Sequence, residues 1–159
     1  MWRNLFCAAT LLLAGNVWAS ANDVMVDKVW MRESVPGQTS ATVQLNLYVT
    51  KAARLLSVSS PVAKSGEIQG VVMRRGKPQT GVVDSMKLDA HSTTLFGTRG
   101  IYLTLIGLKQ PLNVGERIPV TLVVEAAGHK HTINVEAEVK ALELSYQHYN
   151  NPNTVKDHR

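Results

Sequence analysis

The stretch 41-ATVQLNLYV-49 decides the fold class. Ala41, Val43, Leu45, Leu47 and Val49 alternate strictly with Thr42, Gln44, Asn46 and Tyr48. In an extended chain successive side chains point to opposite faces, so this segment has one apolar and one polar side, and it reads as a half-buried β-strand. Working outward, 117-RIPVTLVVE-125 repeats the pattern with Ile118, Val120, Leu122 and Val124 on one face. So does 131-HTINVEAEV-139, with Ile133, Val135, Ala137 and Val139 inward and Asn134, Glu136 and Glu138 outward. In 99-RGIYLTLIGLKQPL-112, Ile101, Leu103 and Leu105 point one way, and Tyr102 and Thr104 stand together on the other.

Further strands are expected at VMVDKVWMRE (24–33), ARLLSVSS (53–60), EIQGVVMR (67–74), GVVDSMKLDA (81–90) and TTLFG (93–97). Turn residues separate them at Pro36-Gly37, Pro61, Gly76 to Pro78, Gly97, Pro111 to Gly115 and Gly128. Many short strands without a helical period or an internal repeat predict an all-β Greek-key sandwich or barrel. A chain of 159 residues buries one real core, so a single domain is expected.

Residues 1–21 carry Arg3, an apolar run from Leu5 to about Ala14, and then small residues. That is the plan of a secretory signal peptide, with cleavage after Ala19 or Ala21, and its apolar run is too short for a permanent transmembrane helix. The expected organisation is therefore a leader (1–21), a β domain (22–144) and a polar, flexible tail (145–159). The only cysteine, Cys7, falls inside the leader without a lipobox-like context. The exported chain is thus expected to be a soluble protein with no thiol, disulfide or membrane anchor. Loss of the leader removes Arg3 and no acid, lowering the formal charge of +5 by one. The scattered basic residues lack an aromatic stripe, and nucleic acid is not an expected partner.

An enzyme needs converging groups, and none of the sequence signatures of a nucleophile elbow, a zincin helix or a phosphate loop occurs. Asp84, Asp89 and His91 lie close in sequence, but a strand-end turn commonly holds such residues in solvent. For metal, His129 and His131 in GHKH share one side of a strand start, a spacing that suits Cu(II) or Zn(II) given a third ligand. Met73 and Met86 are thioether candidates that also read as apolar packing. His148 and His158 sit in the tail, where they could fold over a metal held by the domain.

Four stretches have familiar wording: VDKVWMRES (26–34), ARLLSVSSPVAKSGEIQ (53–69), GIYLTLIGLKQPLNVGERIPVTLVVEAAG (100–128) and INVEAEV (133–139). In that order they resemble the periplasmic PCu(A)C copper chaperone family, over about residues 24–139. The resemblance implies a cupredoxin-like β-sandwich, Cu(I) as cargo, and delivery to the CuA centre of cytochrome oxidase. Its copper motif is H-x10-M-x21-H-x-M. Aligned on SSPVAKSGEIQ, the four ligand positions fall on Gln69, Thr80, Tyr102 and Thr104, so the spacing is kept and every ligand is replaced.

Amide, hydroxyl and phenol oxygens are poor ligands for a soft cation such as Cu(I). The expectation is a periplasmic, non-enzymatic chaperone-like protein without the usual site, whose partner would be a copper protein or an oxidase-assembly factor. If copper, as Cu(I) or Cu(II), is held at all, Met73, Met86, His129, His131 and the tail histidines come before Gln69 or Thr104. The competing expectation is a module that binds a polar small molecule, a peptide or a protein through hydrogen bonds from the same four side chains. Oligomeric state is not legible in the sequence.

Overall fold

The computed structural model describes residues 23–142. The expected leader with Cys7, and the expected tail with His148 and His158, lie outside the described residues. Ten strands follow one another: β1 (Val24–Arg32), β2 (Ser40–Val49), β3 (Ala53–Ser59), β4 (Ala63–Arg74), β5 (Lys77–Val83), β6 (Met86–Leu88), β7 (Ser92–Phe96), β8 (Tyr102–Leu108), β9 (Arg117–Ala126) and β10 (His129–Lys140). Among the described residues no helix is long and apolar enough to cross a membrane.

Hydrogen bonding joins the strands in the order β5-β4-β8-β2-β1-β10-β9-β3-β6, with β7 added on β2. Every pairing is antiparallel except β1 with β10. The path rolls on itself until β3 packs against β4 and β8. The alternation read from the sequence explains why it rolls. Ala41, Val43, Leu45, Leu47 and Val49 of β2 are all buried, as are Leu103 and Leu105 of β8 and Ile118, Val120, Leu122 and Val124 of β9. One sheet face is apolar nearly throughout, and curling that face inward removes it from water without a second domain.

The approach of β3 to β4 is tight enough to require a glycine. At Gly66 an added Cβ would meet the carbonyl oxygen of Val58, with the Val58 carbonyl carbon at 2.8 Å. Two X-Gly turns close hairpins in this roll, Arg75-Gly76 between β4 and β5 and Ala127-Gly128 between β9 and β10, with positive φ at both residues of each. That geometry matches the right-handed twist of the flanking strands.

Three details differ from the sequence reading. GVVDSMKLDA is not one strand: β5 ends at Val83 and pairs β4, whereas β6 starts at Met86 and pairs β3. Asp84 and Ser85 are the corner where the chain passes from one end of the sheet to the other, and Arg54 donates to Ser85 Oγ at 3.2 Å there. Second, β4 begins at Ala63 rather than Glu67, because β8 offers partners from Leu108 back to Tyr102. Third, Ile133 and Val135 are only half-buried. The parallel partner β1 reaches β10 only at Glu138 to Lys140, so the first half of β10 has β9 alone beside it.

Candidate functional site

Gln69, Thr80, Tyr102 and Thr104 come from three strands and share the outer face of the sheet. Gln69 of β4 is the cross-strand partner of Tyr102 of β8, and such partners hold their Cβ atoms about 5 Å apart. Thr104 follows two residues on, along the same face of β8, between Glu67 of β4 and Thr42 of β2. Thr80 of β5 pairs Val71, itself two residues beyond Gln69. Alternation along β4 and β8 therefore puts all four on one side, opposite the buried Ile68, Leu103 and Leu105. The bend at Gly100 lies over the Thr80 end, where a Cβ on Gly100 would be 3.4 Å from Thr80 Oγ1.

Chemically this is a set of neutral oxygen and amide donors. Among the described residues none of the four side chains hydrogen-bonds to another. They therefore do not tie one another up and stand free to meet an outside partner. Tyr102, Thr104 and Gln69 are half-buried, and Thr80 is exposed, so solvent completes their hydrogen bonding. The donor set does not fit Cu(I), which calls for thioether and imidazole. Among the described residues no three His, Cys, Asp or Glu side chains stand together as a metal site.

The alternative donors do not meet. Met73 lies on the outer face of β4 near its tip and is 68% exposed. Met86 instead points inward from β6, its methyl 3.0 Å from where a Cβ on Gly70 would stand. His129 and His131 do share one side at the exposed start of β10, as their spacing implied. His131 pairs Val124, Val124 pairs Leu55 and Leu55 pairs Met86. Three strand spacings, about 14 Å along the sheet, thus separate His131 from Met86.

Near His131 the notable group is Asp23. Its carboxylate accepts from Lys51 Nζ at 2.9 Å and from Thr50 Oγ1 at 2.8 Å. The Lys51 hydrogen bond, then that of Thr50, holds its pKa below the ordinary carboxylate value, with a smaller contribution from the charge of His131. A depressed carboxylate pKa means that the contribution to stability is present above the ordinary value and is lost as pH falls through the folded one. Lys51→Met is expected to move the Asp23 titration midpoint upward, toward the ordinary carboxylate value, as read by the side-chain carboxyl shift in an NMR titration. An unmoved midpoint would mean that the Lys51 contact is not made in solution.

Beside Tyr102 the outer face sinks into a depression of about 300 Å³, lined by Arg32, Glu33, Gln38, Thr42, Gln44 and Tyr102. Gly97 forms its wall, at φ 100, and a side chain there would stand 2.5 Å from Gln44 Cγ. Glu33 is engaged within the depression: its Oε1 accepts at 2.8 Å from the backbone N–H of Leu142, which also lines it. Next along β1, Trp30 pairs Gln44 and carries the Arg32 guanidinium at 6.0 Å and the Lys140 ammonium at 5.2 Å from its ring centroid. Both lie within the range of a cation–π contact. The sequence reading missed these neighbours. Alternation already put Thr42 and Gln44 outward, but nothing in the chain announces that β2 lies beside β8.

Comparison with known proteins follows the same lines. The family model described as "Putative lipoprotein LpqE-like" matches residues 24–139. A Leifsonia xyli subsp. xyli protein described as "Putative lipoprotein Lxx21020" is 29% identical over 103 residues, which is 64% of this chain. The match spans 62% of that relative, less than two thirds of its length. Among solved structures, the apo PCuAC domain from PmoF1 and the copper-bound PCuAC domain from PmoF2 each superpose with TM-score 0.61 at 21% identity. They cover 76% of this chain and 95% and 94% of their own. The solution structure of CuI-DR1885 from Deinococcus radiodurans gives TM-score 0.58 at 25% identity, covering 77% of this chain and 83% of that one. The cupredoxin-like fold and the PCu(A)C resemblance read from the sequence are borne out.

Proposed function

The chain belongs to the LpqE-like family, and from that membership we propose that it is an exported, non-enzymatic, copper-chaperone-like protein whose usual Cu(I) position has become a protein-docking surface. The observation that carries this reading is the register: Gln69, Thr80, Tyr102 and Thr104 occupy one outer face at the family's spacing, with donors that Cu(I) does not favour. The copper-loaded state of its relatives, stated for the PmoF2 domain and for CuI-DR1885, supports a role in copper handling. On this reading the partner is a metallated protein or an oxidase-assembly factor in the periplasm. Tyr102 supplies an aromatic contact of the kind that dominates interfaces.

A second reading has its own observation. The depression beside Tyr102 offers Arg32, Gln38, Thr42 and Gln44 as convergent polar groups, a lining suited to a polar small molecule or peptide and needing no metal.

A Cu(I) competition titration of the chain against a chromogenic chelator, under reducing conditions, tests the lost site. The expected result is no stoichiometric Cu(I) held through Gln69, Thr80, Tyr102 or Thr104. Tight one-to-one binding that survives substitution of these four and falls with Met73, Met86, His129 or His131 would move the cargo to those residues. A chain ending at Lys140 asks the same of His148 and His158. Tight binding that is lost with Gln69→Ala or Tyr102→Phe would overturn the reading.

A further inference from the structure

The β4–β5 hairpin outruns the sheet that carries it. β8 pairs β4 only from Ala63 to Gln69, whereas β5 continues to pair β4 out to Arg74–Lys77. The rows from Val71–Thr80 to Arg74–Lys77 thus form a two-stranded ribbon, a structure of marginal stability in water by itself. Its turn is Arg75-Gly76, with φ of 52° and 75°. The first position of such a turn usually holds Asn, Asp or Gly; here it holds a cation.

The ribbon is two-faced. Val71 and Met73 in the ribbon, and Val82 at its root, are 57%, 68% and 59% exposed. They share the outer face, because Val82 pairs Gln69 and residues 69, 71 and 73 alternate with the opposite side. Arg74, Arg75 and Lys77 gather at the tip beside Gln79. From Ile68 to Val83 there is no Asp or Glu to neutralise them. Arg74 and its partner Lys77 project from the opposite face, so the hairpin is apolar on one side and cationic on the other, and folding does not account for that pattern.

Two classes of macromolecule offer negative charge and an apolar layer. A protein partner fits poorly: three side chains fall far short of the roughly 800 Å² per partner of a stable interface. Lys77 and Pro78 on the edge strand β5 also work against strand addition. A bilayer needs only shallow apolar insertion and basic groups at headgroup depth. Each such group strengthens binding to an anionic surface by roughly fivefold. We propose that the β4–β5 ribbon docks the protein on an anionic phospholipid surface, with Arg74, Arg75 and Lys77 at the phosphates and Val71, Met73 and Val82 in the interface. The inference stands independently of any copper role.

The test uses the full chain in a Cys7→Ser background, with Met73→Cys labelled by a polarity-sensitive fluorophore. A second chain carries the label at Asn113→Cys, in the loop after β8, at the end of the sheet away from the ribbon. Vesicles of phosphatidylcholine with about one third phosphatidylglycerol should shift the Met73→Cys label to the blue, reversibly with added salt. They should leave the Asn113→Cys label unmoved. Arg74→Gln, Arg75→Gln and Lys77→Gln together should weaken the shift on the order of a hundredfold in lipid concentration. Comparing the two labels in otherwise identical full-length chains cancels whatever residues 1–22 contribute. An equal shift with pure phosphatidylcholine, no shift with the anionic vesicles, or an unchanged response in the triple variant would overturn the proposal. A shift produced by polyglutamate and not by vesicles would replace the lipid with an acidic protein.

Discussion

A chain carrying Gln69→His, Thr80→Met, Tyr102→His and Thr104→Met together takes up one equivalent of Cu(I) under reducing conditions, while keeping the thermal transition of a folded β-protein. The register carries this expectation. Positions 69 and 102 are direct cross-strand partners, so two imidazoles there start about 5 Å apart at Cβ and can close on one ion. Position 104 lies one step along the same face of β8, a distance that a long, flexible thioether spans. Position 80 is on β5, across β4, at the foot of the two-stranded ribbon and diagonal to position 69 on the same face. Soft thioether and nitrogen donors on one accessible face are what Cu(I) selects. Reverting the substitution at 102 or 104 should weaken binding by at least the roughly 10- to 100-fold that loss of an outer-shell partner costs. Chelator competition reads the affinity, and X-ray absorption at the copper edge reads the sulfur and nitrogen ligands. A folded fourfold variant that leaves all the copper with the chelator would show that these four positions are not the family's site.

Gly66→Ala is expected to be among the most damaging single substitutions in the fold, at about 3 kcal/mol. The added methyl would be driven into Val58, whose carbonyl carbon and side-chain Cγ1 stand 2.8 and 2.9 Å from the Cβ position. Backbone cannot rotate away as a side chain can, so β3 and β4 must separate. That separation opens the seam on which the roll of the sheet depends. Gly70→Ala is the contrast on the same strand. Its neighbour is the terminal methyl of Met86 at 3.0 Å, the end of a flexible side chain, and the cost should stay near 1 kcal/mol. Denaturant unfolding followed by tryptophan fluorescence measures both, with the slope checked for constancy. A Gly66→Ala protein within about 0.5 kcal/mol of the parent would mean that β3 and β4 are not in contact in solution.

The strands were legible because alternation is a local property. Ala41 through Val49, Ile118 through Val124, and Leu103 with Leu105 each turned an apolar face inward as their spacing implied. Ile133 and Val135 carry the same pattern yet are only half-buried, because burial depends on which strand lies opposite. Likewise 81-GVVDSMKLDA-90 alternates well enough to pass for one strand, and only the change of partner from β4 to β3 breaks it at Asp84.

By itself, then, the sequence determined the all-β class, the inward face of most strands and the resemblance to a copper chaperone family, from which the expectation of four replaced ligands follows. Each of these resides in residue type, in a period of two, or in the order of short motifs. Tertiary structure alone decided that Gln69 stands beside Tyr102, that Met86 faces away from Met73, and that Thr42 and Gln44 border the site. It also decided that β4 and β5 run past β8 as a cationic, apolar-faced ribbon. These facts depend on pairing between segments far apart in the chain. The choice of partner is settled by burying every inner face at once, and no single strand carries that information.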